Sequence, residues 1–470
     1  MLPETLLCLL SAALILAQTR QELTLDSLFI FNSTGLPNPP SFDLPFARNL
    51  SISVALCSSS TSLPRFFVTN GTATDNPGPE GGEDVYEIRI SNGYGTFTGD
   101  FTAGGILAVD NAGQIPFEVG ISDGGPMHGT LGEVPLLGDT TANQVLLFSP
   151  PYASAPVEDP TYPNYTLPAA NASLPSPPTA PNFTLIISPT SASFSLSQSA
   201  CLLSSQSSTG TIASQFPWLR DEQGWRMQWI VEGLSPQTNY TAFVVQDGSK
   251  VSGPIYFVTK SASFSCPLVS SLPYCPNIAY AVPLSPLQPP SPSFYDASSV
   301  PSEISEPLIE YLTNFTTMLT TFACGRDMYS PIQTCADCQR EYRRWLCTVS
   351  FMRCSEARPG DLSSAATTSP VAAAQTPLSA LVPQSSSQPY RNPNFPTIPN
   401  SYTMLLPCLE TCNAADRACP NFLGFQCPVV QFNAAQSYGV GFIDSLDGVP
   451  GGGSTGVAQD GWGNVWCNSG

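Results

Sequence analysis

The sequence is poor in histidine, in charge and in long apolar runs. His128 is its single histidine. A side chain that changes charge near neutral pH is therefore available at one place only, and metal sites built on several imidazoles are excluded. Charged residues make up 11% of the 470, with 16 Lys+Arg against 35 Asp+Glu and a net charge of −19. Nucleic acid needs a basic footprint for its phosphates, so it is excluded as a partner. Few charges also mean few salt-bridged helices; with abundant Ser, Thr, Pro and Gly, the chain favours short strands and loops.

Apolar runs long enough to cross a bilayer, roughly 18–20 residues, are missing after the N-terminus. Leu6 to Ala17 is a shorter apolar core followed by Gln18-Thr19. It reads as a secretory signal over residues 1–19, cleaved near Thr19, with an uncleaved anchor as the alternative because no basic residue precedes it. The C-terminus, GWGNVWCNSG, has no hydrophobic tail of the kind that precedes a lipid anchor.

Cysteine is what the sequence does have. Removing Cys8 with the leader leaves fourteen of the 15, an even number suited to a disulfide framework in an oxidising compartment. Eight Asn-x-Ser/Thr sequons, at Asn32, Asn49, Asn70, Asn164, Asn171, Asn182, Asn239 and Asn314, point to a glycosylated chain in the secretory pathway.

The expected fold is multidomain and mainly β. Residues 24–149 alternate apolar and polar positions in LSISVALC, RFFVTN, VYEIRIS, ILAVDN, IPFEVGIS and VLLFSP, separated by Gly- and Asn-rich turns. That pattern predicts an N-terminal β-sandwich. The loop SDGGPMHGTLG would leave His128 at the surface. Residues 150–181 are Pro-rich and read as an extended spacer. Residues 182–265 form a second β domain. Its GLSPQTNYTAFVV segment resembles the tyrosine corner of fibronectin type III domains, with Tyr240 bonding back to the main chain. Trp225 and Trp229 belong to its core, on a helical turn or an irregular strand. Residues 266–301 are again Pro-rich and read as a linker, in which Cys266 and Cys275 could close a small loop.

Residues 302–467 form a Cys-rich helical module. Leu308, Leu312, Phe315, Leu319 and Phe322 line one face of a first helix, with Ser305 as N-cap and Pro307 in its first turn. A second helix carries Cys335, Cys338, Tyr342, Trp345, Leu346 and Val349 on one face, with Arg340 and Arg344 opposite and Arg343 on the flank. Cys347 lies off that face and would tether a different neighbour. Residues 355–400 read as a disordered Ser/Ala/Pro insert. The framework cysteines are Cys324, Cys335, Cys338, Cys347, Cys354, Cys408, Cys412, Cys419, Cys427 and Cys467, enough for five bridges inside the module. Pairings do not follow from spacing.

No residue set suits bond-breaking, and no metal or other cofactor is expected. Cys335-x-x-Cys338 and Cys408-x3-Cys412 could each be half a zinc site, but behind a leader disulfides are the better reading. The Gly-x-Ser-x-Gly match at Ser454 lacks the strand and helix that a nucleophile elbow needs. Six arginines, Arg326, Arg340, Arg343, Arg344, Arg353 and Arg358, crowd the cysteine stretch. They are either a solvated helix face or a docking surface for an acidic partner, with Arg340, Arg343 and Arg344 the candidates.

Ser330, Pro331, Thr334, Cys335, Cys338, Tyr342, Trp345, Leu346, Cys347 and Cys354 together resemble the motif of the fungal stretch-activated calcium channel accessory subunits, of the mating-pheromone-induced-death type. Tyr342 and Trp345 are its aromatic core. The same Cys-x-x-Cys…Tyr-x-x-Trp pattern is similar to that of the animal sodium-leak-channel accessory subunit. The resemblance implies a non-enzymatic glycoprotein on the extracellular face of the plasma membrane, held there by its partner or its N-terminal segment. It implies a role in stretch- or stress-activated calcium influx, through docking of the Cys-rich module on a large four-repeat voltage-gated-like channel subunit. The alternative is a secreted adhesion or cell-wall glycan-binding protein with no channel partner.

Overall fold

The alternating runs form strands with one face turned into each sandwich. A computed structural model describes residues 20–32, 35–71, 74–82, 84–113, 115–156, 166–171, 173–192, 197–220, 223–288, 292–321, 324, 329–356, 380–385, 390–396, 401–429, 432–439 and 465–470. The leader, Asn164, Phe322, Arg326, Arg358 and Ser454 lie outside the described residues. The chain divides into two units: residues up to Thr130 with a return segment ending at Ser205, and the remainder from Leu131.

In the first unit, one sheet runs in the order Gln21–Glu22, Ser41–Leu44, Gly105–Asp110, Arg65–Thr69, Val85–Ile88. The other runs Ser27–Phe31, Phe117–Ser122, Ala47–Leu56, Tyr94–Phe101. Phe31 and Phe117 of the second sheet meet Phe42 and Phe66 of the first, with ring centroids 4.5 Å apart for Phe31–Phe42 and 5.1 Å for Phe66–Phe117. This aromatic layer is the core of a β-sandwich.

The outward face of the second sheet carries Ser53, Ala55, Glu118 and Gly120, and it is covered. A short helix α1, Ala200–Ser204, is capped by Ser199 and fastened by the Cys57–Cys201 bridge. His128 folds down over the same face and is 1% exposed, not at the surface as its Gly-rich loop suggests. Its Nδ1 lies 3.0 Å from Ser53 Oγ and its Nε2 3.2 Å from Glu118 Oε2. Buried polar atoms on an otherwise apolar sheet need partners, and the loop supplies one. Gly120 makes the close approach possible: a Cβ there would sit 2.8 Å from Ser53 Oγ and 2.9 Å from Met127 Cβ.

The second unit begins earlier than composition suggests. Leu136–Thr140 and Gln144–Phe148 are not part of the first sandwich. Gln144–Phe148 pairs with Trp225–Glu232, aligning Val145 with Val231 and Leu147 with Trp229. That sheet faces another made of Phe183–Pro189, Asn239–Gln246 and Lys250–Val258. Val145, Leu147, Trp229 and Val231 pack against Leu185, Ile187, Val244 and Phe257 between them. Leu146, Phe148 and Ile230 point the other way, into a separate core with Leu268 and Ala281. A strand buried on both faces cannot be assigned to a sheet by alternation. Trp225 and Trp229 lie on one regular strand, both buried. The Tyr240 hydroxyl accepts the Ser235 N–H at 2.9 Å, as the tyrosine-corner resemblance implies.

The Pro-rich stretches are packed rather than free. Leu167, Ala170 and Leu174 of residues 150–181 lie against three different cores. In residues 266–301, Leu268–Val269 pairs with Tyr280–Ala281, and Leu272, Ile278, Tyr280 and Val282 are almost fully buried. Cys266 and Cys275 do not close a loop together; they reach forward to Cys354 and Cys347. The span 355–400 also contains order. Leu381–Gln384 adds to Tyr402–Leu405, which pairs with Arg353–Ser355, and Phe395 is buried. Proline restricts φ and removes a donor, but it does not prevent apolar neighbours from being buried.

Arg353 joins these parts. Its Nε donates to Asp139 Oδ2 at 2.9 Å and its Nη2 to Gly138 O at 3.1 Å. Asp139 also accepts from the N–H groups of Thr140 and Ala281. Removing one member strands the other in a dry site, so Arg353→Met should cost about 3–5 kcal/mol in urea unfolding. The double variant Asp139→Leu/Arg353→Met should cost clearly less than the sum of its singles. An unchanged midpoint for Arg353→Met would show that the pair is not structural.

Candidate functional site

The module that carries the motif is built on three helices. α2 spans Ser302–Thr321, α3 Cys335–Ser350 and α4 Leu409–Ala418. α2 starts three residues before the expected N-cap, leaving Pro307 inside the helix and Ser305 bonded to Pro301 O. Ile304 explains the earlier start. It extends the buried stripe of Leu308, Leu312 and Leu319 by one turn. Asn314 is exposed, on another side of the helix.

α3 opens with a capping box. Thr334 Oγ1 accepts the Asp337 N–H at 3.2 Å, and Asp337 Oδ2 accepts the Thr334 N–H at 2.8 Å. Burial pushes the Asp337 carboxyl up, but the Thr334 bonds and the Arg340 guanidinium outweigh it and hold it below the usual range. The cap therefore contributes fully above the unfolded carboxylate pKa and fades as pH falls through the folded value.

The motif aromatics form a stack inside the module. Tyr342 lies on Phe315 of α2, centroids 3.6 Å apart and planes at 8°. Trp345 meets the edge of Phe425 at 4.9 Å and donates its Nε1–H to the Tyr438 hydroxyl at 2.8 Å. These two residues are structural, joining α2, α3 and the segment after α4.

The bridges follow the same logic. Cys324–Cys335, Cys338–Cys419, Cys408–Cys467 and Cys412–Cys427 close within the module. Cys347 and Cys354 leave it, pairing with Cys275 and Cys266. The module therefore holds four internal bridges, not five, and Cys347 does tether a different neighbour. The four cysteines of the two possible zinc half-sites fall in four separate bridges. Among the described residues, the only sulfur–carboxylate groupings are Cys57/Cys201 beside Glu118 and Cys408/Cys467 beside Glu410. In both, the sulfurs are bonded to each other and are not thiolate ligands.

The candidate docking arginines have separate surroundings. Arg340 pairs with Asp337 at 3.0 Å and Glu341 at 3.4 Å. Arg343 lies against Cys275, Pro276, Asn277 and Ile278. Arg344 donates through Nε and Nη2 to Ser469 O at 3.2 and 3.1 Å. Arg353 is the buried partner of Asp139. Beside Arg344 is a cavity of about 300 Å³, lined by α4, Gly439 and the C-terminal residues Trp466, Cys467 and Ser469. Arg417 and Glu410 also line it. Spacing alone gave no sign of this cavity, because residues distant in sequence form it around the Cys408–Cys467 bridge.

Two β-sandwiches, a seven-bridge framework and a helical C-terminal module define a cystine-bridged, mainly β multidomain protein. Residues 50–448 match the Mid1 family, described as a stretch-activated Ca2+-permeable channel component, and the chain belongs to that family. It is similar to the stretch-activated cation channel MID1 of Cryptococcus neoformans var. grubii, 38% identical over 394 residues, which is 76% of this chain and 62% of that protein. It is similar also to the stretch-activated cation channel yam8 of Schizosaccharomyces pombe, 29% identical over 227 residues, 45% of this chain and 40% of yam8. MID1 of Saccharomyces cerevisiae is 30% identical over 211 residues, 42% of this chain and 34% of that protein. The aligned parts cover less than two thirds of each relative's own length.

The aromatic stack makes a direct prediction. Tyr342→Leu keeps apolar volume but loses ring stacking, and should lower stability by about 0.5–1.5 kcal/mol. Tyr342→Phe should be close to neutral. Thermal unfolding of the purified protein reads both. Equal losses would place the importance of Tyr342 in its hydroxyl instead.

Proposed function

We propose that the chain is an extracellular, glycosylated regulatory component of a plasma-membrane calcium channel, and that it supports stretch- or stress-activated calcium influx. The observation that carries this reading is the family match over 50–448, which takes in most of the first sandwich, the second sandwich and the three helices of the module. The cystine framework and the sequons fit a secretory route. No helix among the described residues is long and apolar enough to cross a membrane. In this reading a partner supplies the pore, taken here as a large four-repeat voltage-gated-like subunit, on which the Cys-rich module docks.

The protein acts by binding rather than by catalysis. The nearest approach to a catalytic grouping among the described residues is Ser53–His128–Glu118, and it is sealed: the three are 0%, 1% and 6% exposed. A nucleophile without solvent access cannot meet a substrate. The module, by contrast, exposes Ile332, Phe422 and Phe432, which suits an interaction surface.

Affinity purification of the tagged protein from gently solubilised fungal membranes tests the reading. A four-repeat cation channel should co-purify, and loss of the protein should reduce calcium uptake under osmotic stretch. Recovery of wall glycan without a channel would move the assignment to adhesion.

A further inference from the structure

The cavity beside Arg344 has no role in the packing described above, and its chemistry is unusual for this chain. It lies among α3, α4 and the C-terminal residues. The Cys408–Cys467 bridge, Ala414 and Trp466 give it an apolar lining, and Arg344 and Arg417 contribute guanidinium groups against one carboxylate, Glu410. In a protein of net charge −19 with only 16 basic residues, two arginines on one cavity form a local cationic island. Arg344 is anchored through two of its nitrogens to Ser469 O, which holds that guanidinium in a fixed position. Arg417 is exposed and has no hydrogen-bond or ion-pair partner among the described residues. The helix dipole does not explain the cavity: the N–H groups of Leu409 and Thr411 are used by Gly439 O and Cys408 O.

A second, independent observation concerns the sequons. All eight lie at or before Asn314, and none occurs in residues 315–470. A glycan occupies the space that a protein partner needs. No sequon falls in α3, α4 or the C-terminal residues that line the cavity; the sequons nearest to them are Asn314 on α2 and Asn171, which follows a segment packed on α3 through Leu167 and Pro168.

We propose that this cavity is the acceptor for an acidic segment of the partner's extracellular loops, with a carboxylate held by Arg417 and Arg344 and an adjacent apolar side chain set against Trp466 and the disulfide. The proposal rests on the docking reading given above and narrows it from a row of arginines to one cavity. Guanidinium offers carboxylate a two-point contact, and the apolar lining excludes water that would weaken it. A bare acidic loop would be held less well in a purely solvated arginine cluster, and a bare apolar loop would leave Arg417 desolvated without a partner.

The test uses the full-length protein and its co-purifying channel, with three variants. Arg417→Glu reverses the free charge. Ala414→Trp fills the cavity without changing charge. Arg340→Glu reverses a charge outside the cavity. Secretion level and thermal unfolding are measured for each, so that a folding defect is separated from a binding one. Recovery of the channel should fall about tenfold for Arg417→Glu and for Ala414→Trp, and stay within about twofold for Arg340→Glu. Wild-type association should weaken as salt rises, and the Arg417→Glu remainder should lose most of that dependence.

If the wild type recovers the channel and both cavity variants recover it equally, the cavity proposal falls while the docking reading stands. If the wild type recovers no channel, both fall. A third outcome identifies a different occupant. The chain's own residues 440–464 carry Asp444, Asp447 and Asp460 and no basic residue. Should Arg417→Glu lower the unfolding temperature by as much as Asp444→Asn/Asp447→Asn does, with channel recovery unchanged, the cavity serves the chain itself and the proposal is overturned.

Discussion

The contact on which the second unit depends is the buried ion pair between Arg353 and Asp139, set beside the Cys266–Cys354 bridge. Asp139 belongs to a sandwich strand, Ala281 to the Pro-rich hairpin and Arg353 to the end of the Cys-rich stretch. One carboxylate therefore satisfies donors from three parts of the chain that composition alone would separate. The geometry tolerates little displacement, because a charge taken out of water is stable only while its partner and hydrogen bonds remain in place. Cys275–Cys347, in the last turn of α3, adds a covalent constraint between the hairpin segment and the helical module. The sandwich, the hairpin and the helical module are consequently packed and cross-linked into one compact unit, not beads on a proline string.

Cross-linking also explains how so small a helical module holds its shape. Its three helices share little interior, and α3 is only half-buried along much of its length. A core of this size buries little apolar area relative to the entropy it must offset. Four internal bridges reduce the freedom of the unfolded chain instead. The Tyr342–Phe315 stack and the Trp345–Tyr438 bond then fix how α2, α3 and the segment after α4 meet. The motif aromatics thus decide the shape of the surface without being exposed on it.

What could be read in the sequence was local, and what could not was long-range. Period-two alternation located the strands, the 3–4 spacing located α2 and α3, and the Pro-Gln-Thr-Asn-Tyr segment placed Tyr240. The position of Cys347 off the apolar face correctly implied a distant partner. Alternation could not say that Gln144–Phe148 joins Trp225–Glu232, since both of its faces are apolar and both are buried. Proline content described the backbone of residues 266–301 but not the burial of Leu272, Ile278 and Val282, whose apolar character was the better signal. His128 was misleading for a different reason. Glycines on either side suggested an exposed turn, yet the loop lies over the sheet and its imidazole meets Ser53 and Glu118. A buried serine and a buried glutamate on the same sheet face were a sign that some polar side chain must cover them.

The arginines of the Cys-rich stretch show how few charges remain for an external partner. A chain with 16 basic residues cannot give one to each structural need and still present a basic surface. Arg353 is spent on the buried pair, Arg340 on the cap carboxylate and Glu341, and Arg344 on the C-terminal carbonyl. Arg340 is held by two local carboxylates and Arg353 is buried, so at either a partner's carboxylate would have to compete with an existing ion pair, whereas the Ser469 carbonyl leaves the charge of Arg344 unneutralised. Exposed ion pairs of that kind confer little affinity. A guanidinium that has no acceptor among the described residues, at the edge of an apolar cavity, is in the opposite situation: pairing it adds a contact without breaking one. An acidic, sparsely charged chain of this kind offers a few charges set in a fixed shape and not a charged field, which is the kind of surface that a cross-linked module is suited to hold.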